Sequence, residues 1–302
     1  AGMRIPPRIA AVPLFLIICA CAAPGPQGPA AEERPYLLER VGDAAVVQLY
    51  ADGFADLSPQ DQLLAYHLSN AAIAGRDIYL HQRYRHALDI RDVFEEILTH
   101  DEGVDPDTLS QIRHYAKLFW INNGPHQNLT TRKFAPACTS DSWAAAARAA
   151  QRAGARFPLA QGEDLDGLLS RLEGPVFDLS LDASVTNKSP GPGEDILLAS
   201  ANTFYEGVSL ADLEGFTEAY PLNSTIAKTQ AGIEEVVWRM GDGADIPPGR
   251  YADTIAVVVG HLEKAIEAAP APTAEALTHL VRYYRTGDPE DFRLYNIAWV
   301  AD

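Results

Sequence analysis

The histidines are the residues of this sequence most suited to metal chemistry, but their spacing does not match a metal-binding motif. A zinc peptidase needs two histidines on one helical face and a glutamate base, which HExxH supplies. His261-Leu-Glu-Lys is the nearest string, yet its glutamate is misplaced and no second histidine follows. His81 and His86 are about 140° apart around a helix, so they do not face a common ion. The sequence therefore predicts that this chain binds no zinc.

Other catalytic motifs are also missing from the sequence. It contains neither a GxSxG nucleophile elbow nor a GxxxxGK[ST] phosphate loop, and Thr225-Ile-Ala-Lys228 lacks the partner motifs of penicillin-binding proteins. Glu234 and Glu235 are neighbours in a predicted strand, so their side chains point to opposite faces. We favour a buried, unreactive thiol over a nucleophile for Cys138.

The composition is that of a folded, acidic protein. The 302 residues are 47% hydrophobic, and 41 acidic against 24 basic side chains give a net charge of −17. A chain of this kind can bury a large core, and its charge argues against nucleic acid and anionic lipid as partners. We attribute the charge to solubility.

The first residues have the pattern of a bacterial lipoprotein signal. A basic start at Met3-Arg4 precedes an apolar run from Ile9 to Ile18, and Ile18-Cys19-Ala20-Cys21 matches a lipoprotein cleavage site. Residues 1–21 are therefore predicted to be a signal peptide that leaves Cys21 lipidated, residues 22–34 a flexible tether, and residues 35–302 the folded body. Secretion after cleavage elsewhere is the alternative.

The same segment predicts where the protein works. A lipid on Cys21 is the only membrane attachment that we expect, since the apolar run is short and interrupted by Pro13. Ala22 stands where inner-membrane lipoproteins have aspartate. The sequence thus predicts a protein of the bacterial cell envelope, anchored to the outer membrane and facing the periplasm.

Capping residues and apolar spacing predict a helix-dominated α+β fold. Ser58-Pro59, Thr108, Ser209 and Pro247-Pro248 are predicted to begin helices. Further helices are expected over 143–153, 273–285 and 288–297, and a strand over 233–238. Residues 157–195 contain several prolines, so they are expected to be mostly loop with a short strand such as 176–181.

Five collinear segments resemble one protein family. The central segment reads LLASANTFYEGVSLADLEGFTEAYPLNSTIAKTQAGIEEVVW, from Leu197 to Trp238. The other four are AGRDIYLHQ (74–82), LFWINNG with RKFAP (118–124 and 132–136), YADTIAVVVGHLEKA (251–265) and YYRTGDPEDFRLYNIAWVAD (283–302). Together they are similar to the N-terminal half of the dipeptidyl peptidase III family, which are zinc-dependent exopeptidases with two lobes around a wide cleft.

The resemblance implies a fold and a function. Residues 35–302 would form the N-terminal, mostly lower-lobe portion of a two-lobed peptidase, with a small sheet or barrel core. The full-length family uses zinc to release N-terminal dipeptides from short peptides. Its HExxGH motif is absent here and would lie beyond Asp302, so we expect the chain to be inactive alone. The alternative is a lipid-anchored peptide-binding or scaffolding protein without catalysis.

The same resemblance indicates which residues touch a peptide. The segment from WINNG to KF would enter the lower lobe beside the cleft, which gives the predicted substrate-binding residues Asn122, Asn123, Gly124, Asn128 and Leu129. Asparagine suits this role because its amide can pair with both the N–H and the C=O of an extended peptide. The alternative is that these asparagines only cap and turn the chain.

Overall fold

The computed structural model describes residues 34–302. Cys21, the predicted signal peptide and residues 22–33 of the predicted tether lie outside this range. No helix in the described range is long and apolar enough to cross a membrane.

The described chain is a helix-dominated α+β protein, as predicted. It begins with an antiparallel hairpin, β1 (Leu37–Val41) and β2 (Ala44–Val47). The next five helices are α1 (Pro59–Arg83), α2 (Ala87–Thr99), α3 (Pro106–Asn122), α4 (Ser140–Arg152) and α5 (Leu165–Phe177). A small sheet follows, made of β3 (Tyr205–Glu206), β4 (Ser224–Thr229) and β5 (Gly232–Val237). The last helices are α6 (Ala252–Ala268), α7 (Ala271–Thr286) and α8 (Pro289–Ala301).

Two hydrophobic clusters hold these elements together. The first is formed mainly by α2, α3, α4 and α5, and its largest fully buried side chains include Trp143, Phe94 and Tyr115. The second joins α1 to α6 and α7 and also contains Trp238, the residue after β5. In the sheet, β3 pairs with β4 in parallel and β4 pairs with β5 antiparallel. The second cluster and this sheet surround the largest cavity described below.

Capping chemistry predicted the start of α1 correctly, whereas α3 and α6 begin at other residues than predicted. The Ser58 hydroxyl accepts a hydrogen bond from the Asp61 N–H, with Pro59 in the first turn of α1. The helix predicted at Thr108 begins earlier, because the Asp105 carboxylate accepts the Thr108 N–H and caps α3. α6 likewise begins after Tyr251 rather than at Pro247-Pro248.

The helix predicted from Ser209 is wrong. Ser209 and Asp212 do make the reciprocal capping contacts, with hydrogen bonds of 2.9 Å and 3.3 Å to each other's N–H. Only a 3-10 turn over Ala211–Leu213 follows, because Gly215 adopts a φ of 80°, outside the helical region. A cap without a buried apolar face does not sustain a helix.

The strand predicted over 176–181 is also wrong. Residues 165–177 form α5, and Asp164 caps it by accepting the Gly167 N–H. Leu165, Leu168, Leu169 and Leu172 follow at helical spacing and are buried, so packing favours a helix in spite of Pro175. Pro175 lies in the last turn, where it costs a single backbone hydrogen bond.

Candidate functional site

A cavity of about 540 Å³ lies between α1, α6, α7 and the three-stranded sheet. Most of its lining is apolar or aromatic. The lining side chains come from α1 (Leu68, Ala71, Ala72, Gly75, Ile78, Tyr79, Gln82), from the sheet region (Phe204, Leu222, Asn223, Trp238), from α6 and the residue before it (Tyr251, Ile255, Val258, Leu262), and from α7 (Leu280, Tyr283, Tyr284). Concave sites of this size and composition are typical of ligand-binding pockets.

Trp238 fixes the aromatic wall of this cavity. Its ring centroid lies 5.3 Å from that of Phe204 and 6.2 Å from that of Tyr251. The indole N–H donates to the Thr225 hydroxyl at 3.1 Å, so the polar end of the ring is satisfied. The wall is therefore held in one orientation before any ligand arrives.

An ion pair that also contacts Thr225 stabilises this aromatic wall. Arg250 binds Glu206 through two parallel hydrogen bonds of 2.9 Å and donates to Thr225 at 2.9 Å. Burial raises the pKa of the Glu206 carboxyl, but the hydrogen bonds and charge of Arg250 outweigh burial and hold this pKa below its usual value. The pair is thus ionised and connects β3 to the start of α6.

Tyr251, which lines the cavity, has an unusual backbone conformation. Its φ is 64°, which is uncommon for a residue other than glycine. Its hydroxyl shares a hydrogen bond of 2.8 Å with Nδ1 of His81 on α1. Burial and the nearby charge of Arg250 lower the pKa of His81. A neutral imidazole therefore holds the Tyr251 ring against the cavity.

The predicted substrate-binding residues lie together at the last residue of α3, Asn122, and in the loop that follows it. Asn122 is only 8% exposed: its amide donates to the Leu118 carbonyl at 2.8 Å, and its side-chain oxygen accepts the Asn128 N–H at 2.9 Å. Both ends of this amide are thus used to shape the loop. Asn123 and Gly124 turn the chain with φ values of 52° and 131°.

The remaining predicted residues differ in what they can contact. The Asn128 amide donates to the Ile121 carbonyl at 3.3 Å, whereas the Leu129 side chain is 90% exposed. None of the five residues lines the large cavity, but Asn123 lines a separate one of about 270 Å³ between α1, α2 and α3. Contact with a peptide stays a prediction for this loop.

Two buried side chains that sequence reasoning missed anchor the base of the loop. The Lys133 ammonium donates to the carbonyls of Asp178 and Leu181 at 2.9 and 2.8 Å, just after the end of α5. His126 bonds to the Asp182 carbonyl at 2.8 Å. Burial lowers both pKa values, that of His126 to about 4. The segment RKF contains Lys133, but nothing in the sequence indicated which carbonyl groups Lys133 binds.

The described residues offer little support for a metal or nucleophile site. In the range 34–302, no group of three or more His, Cys, Asp or Glu side chains could hold a metal ion. Cys138 is buried, and burial raises the pKa of its thiol, as expected for an unreactive cysteine. Glu235 accepts the N–H groups of Ala219 and Tyr220, so it serves the structure of the sheet region.

The chain matches no model of a known protein family and no curated protein.

Proposed function

We propose that residues 35–302 bind short peptides in the large cavity and form part of a protein of the dipeptidyl peptidase III kind. One observation carries the proposal. Four of the five segments that resemble that family, at 74–82, 197–238, 251–265 and 283–302, contribute side chains to this single cavity. Segments that are far apart in the sequence and resemble one family thus meet where a ligand would bind.

The chemistry of the cavity suits a peptide with apolar side chains. Leu68, Ile255 and Val258 offer apolar walls, while the Gln82 and Asn223 amides offer a few polar contacts. The Gln82 backbone carbonyl accepts the Thr203 N–H, but its side-chain amide makes no hydrogen bond within residues 34–302 and can pair with a peptide backbone. A volume of about 540 Å³ is in the range of sites that bind small ligands.

The residues present do not fit the zinc centre of the full-length family. The HExxGH motif is absent from the 302 residues, and the described range has no cluster of three metal ligands. We therefore propose peptide binding for this chain and derive no catalytic step. A peptide-binding or scaffolding protein without catalysis is the second candidate, favoured by the same lack of ligands.

Filling the cavity tests the binding proposal. Ala72 lines the cavity from an exposed position on α1, so Ala72→Trp should occupy the space without disturbing the core. Calorimetric titration with the pentapeptide Ala-Phe-Leu-Ala-Ala should show binding that this variant weakens by at least about tenfold. Ile73→Trp, on the same helix but outside the lining, is the matched control and should bind like the parent protein. If the parent protein and both variants bind the pentapeptide with equal affinity, this cavity is not the peptide-binding site.

Two further observations separate the peptidase from the scaffold. The first observation is whether the reading frame continues past Asp302 into HExxGH. Release of dipeptides from the same peptide is expected only if further residues supply that motif. The second is hydrolysis by the present chain with added Zn²⁺, which we expect to be undetectable. Zinc-dependent dipeptide release by this chain would overturn our assignment.

We also propose that the protein is anchored by a lipid on Cys21 and faces the periplasm. The support is the sequence Ile18-Cys19-Ala20-Cys21 followed by a proline- and glycine-rich tether. Cys21→Ser should move the protein from the membrane fraction to the soluble periplasmic fraction. A variant that stays in the membrane fraction to the same extent contradicts the proposal.

A further inference from the structure

The second cavity, of about 270 Å³, contacts a different set of α1 residues from the proposed peptide site and shares none of its lining residues. Leu80 and Phe119 are buried and form its apolar floor. Arg76 from α1, Arg91 and Glu95 from α2, and Trp120 and Asn123 at the end of α3 complete it. A cavity lined by a guanidinium, a carboxylate, an amide and an indole has the groups needed to recognise a small polar ligand.

The two arginines differ in how their charges are used. Arg91 binds Asp77 at 2.6 Å and Asp92 at 2.9 Å, so two carboxylates hold its guanidinium in place. The Arg76 side chain is 63% exposed, and within residues 34–302 it approaches only the Asp77 carboxylate, at 3.8 Å, without a hydrogen bond. Asp77 is itself held by Arg91. The Arg76 guanidinium thus keeps its hydrogen-bonding capacity for a ligand.

Glu95 is the matching negative group. Its carboxylate accepts a single hydrogen bond, from the indole N–H of Trp120 at 2.9 Å, and forms no salt bridge within residues 34–302. This bond also fixes the Trp120 ring, which is 46% exposed. The cavity therefore combines an aromatic surface held in place with a carboxylate that has no cationic partner among the described residues.

Asn123 completes the set of available groups. Its backbone is left-handed, with a φ of 52°, because it caps the carboxyl end of α3. Its side-chain amide makes no hydrogen bond to any residue in the range 34–302. Neighbouring Asn122, by contrast, uses its amide on the loop. Strained backbone that presents an unpaired side chain to a cavity is a feature found at functional sites.

We propose that this cavity binds a small zwitterion with an α-ammonium and an α-carboxylate group, namely a free amino acid or a dipeptide. Arg76 would bind the carboxylate with a geometry that suits two parallel hydrogen bonds. Glu95 would bind the ammonium, Asn123 a backbone N–H or C=O, and Trp120 an apolar side chain. The volume favours such a ligand over a longer peptide. The inference does not rest on the proposed function, since the two cavities are separate.

Modified dipeptides test each charge contact separately. The probe is Ala-Phe, compared with its C-terminal amide and its N-acetyl form by calorimetric titration. Arg76→Gln should weaken binding of Ala-Phe by about tenfold yet leave binding of the amide unchanged, because the amide has no carboxylate to lose. Glu95→Gln should likewise weaken Ala-Phe but not the N-acetyl form. Glutamine can still accept the Trp120 N–H, so this variant should keep its fold.

Controls distinguish this site from the large cavity and from unfolding. Arg113→Gln removes a comparable arginine, which is 4.0 Å from Asp101, and should leave the affinity unchanged. Asn123→Gly keeps the left-handed cap and should also weaken Ala-Phe binding. Leu280→Trp, which fills the large cavity from α7, should not affect it. Equal weakening of Ala-Phe and its amide by Arg76→Gln, or no effect of any cavity variant, overturns the proposal.

Discussion

Protonation of His126 is expected to destabilise the folded protein as the pH falls below 6.5. The imidazole is 1% exposed and lies at the base of the loop that follows α3. Burial is the main cause that lowers its pKa to about 4, and the charges of Lys133 and Arg83 act in the same direction. The hydrogen bond to the Asp182 carbonyl and the charge of Asp182 oppose this shift without cancelling it.

The size of the effect follows from linkage. In the unfolded chain His126 takes up its proton near pH 6.5, whereas in the folded protein it does so near pH 4. The contribution of His126 to the free energy of unfolding is therefore fully present above pH 6.5. It is lost as the pH falls from 6.5 to about 4 and changes no further at lower pH. This difference corresponds to about 3 kcal/mol of unfolding free energy.

Urea denaturation of the parent protein and of His126→Gln between pH 7.5 and pH 4 measures this loss. The parent should lose about 3 kcal/mol more than the variant over this range, although the variant is the less stable protein at pH 7.5. Both proteins contain the same other titrating groups, such as His81 and His86, whose pKa values burial also lowers. The difference between the two unfolding free energies therefore reports the titration of His126. His114→Gln, which replaces an exposed histidine, should follow the parent curve.

A direct titration of His126 in the folded protein tests whether its pKa is lowered. The His126 ring proton observed by NMR in the folded protein should shift with a midpoint well below pH 6. A midpoint near pH 6.5 in folded protein would refute the linkage argument, even if His126→Gln proved destabilising for reasons of packing.

Three other predictions concern single contacts. Lys133→Met should lower the free energy of unfolding by about 2–4 kcal/mol in urea denaturation, because it leaves buried carbonyls without a donor; a loss under 1 kcal/mol contradicts this. Gly287→Ala should lower the melting temperature more than Gly243→Ala: both glycines have left-handed φ values, but only at Gly287 would a new Cβ come within 2.7 Å of a Val237 methyl group. Asn122→Ala should cost about 1–2 kcal/mol and speed proteolysis of its loop, since the amide makes two internal hydrogen bonds; unchanged proteolysis would argue against its structural role.

Local sequence chemistry predicted most of the helices because caps and apolar spacing act over a few residues. Ser58-Pro59 begins α1, the apolar stripe of α6 is buried, and Asp288 caps α8. Helix α2 was missed: it begins without a side-chain cap, only a few residues after α1 ends. Its buried Ile90, Val93, Phe94 and Ile97 nevertheless have helical spacing.

Tertiary packing decided where local chemistry was ambiguous. The Ser209 cap formed but no α-helix followed, and Leu210 is left exposed. Residues 165–177 formed a helix in spite of Pro175, because their leucines are buried against the first hydrophobic cluster. A cap contributes about 1 kcal/mol, whereas each fully buried leucine contributes about 1.5–3 kcal/mol, so burial prevails.

The candidate sites show the same division. The sequence by itself determined that the chain is acidic, helix-dominated and without a zinc motif, and it marked the segments that resemble one family. Only the tertiary structure brought Tyr79, Trp238 and Tyr283 to one cavity, since contacts between residues this far apart depend on how helices pack. It also separated Asn122, whose amide is used by its loop, from Asn123, whose side-chain amide makes no hydrogen bond within residues 34–302. Two identical neighbours differ because the chain turns between them, and the direction of a side chain is set by backbone geometry rather than residue type.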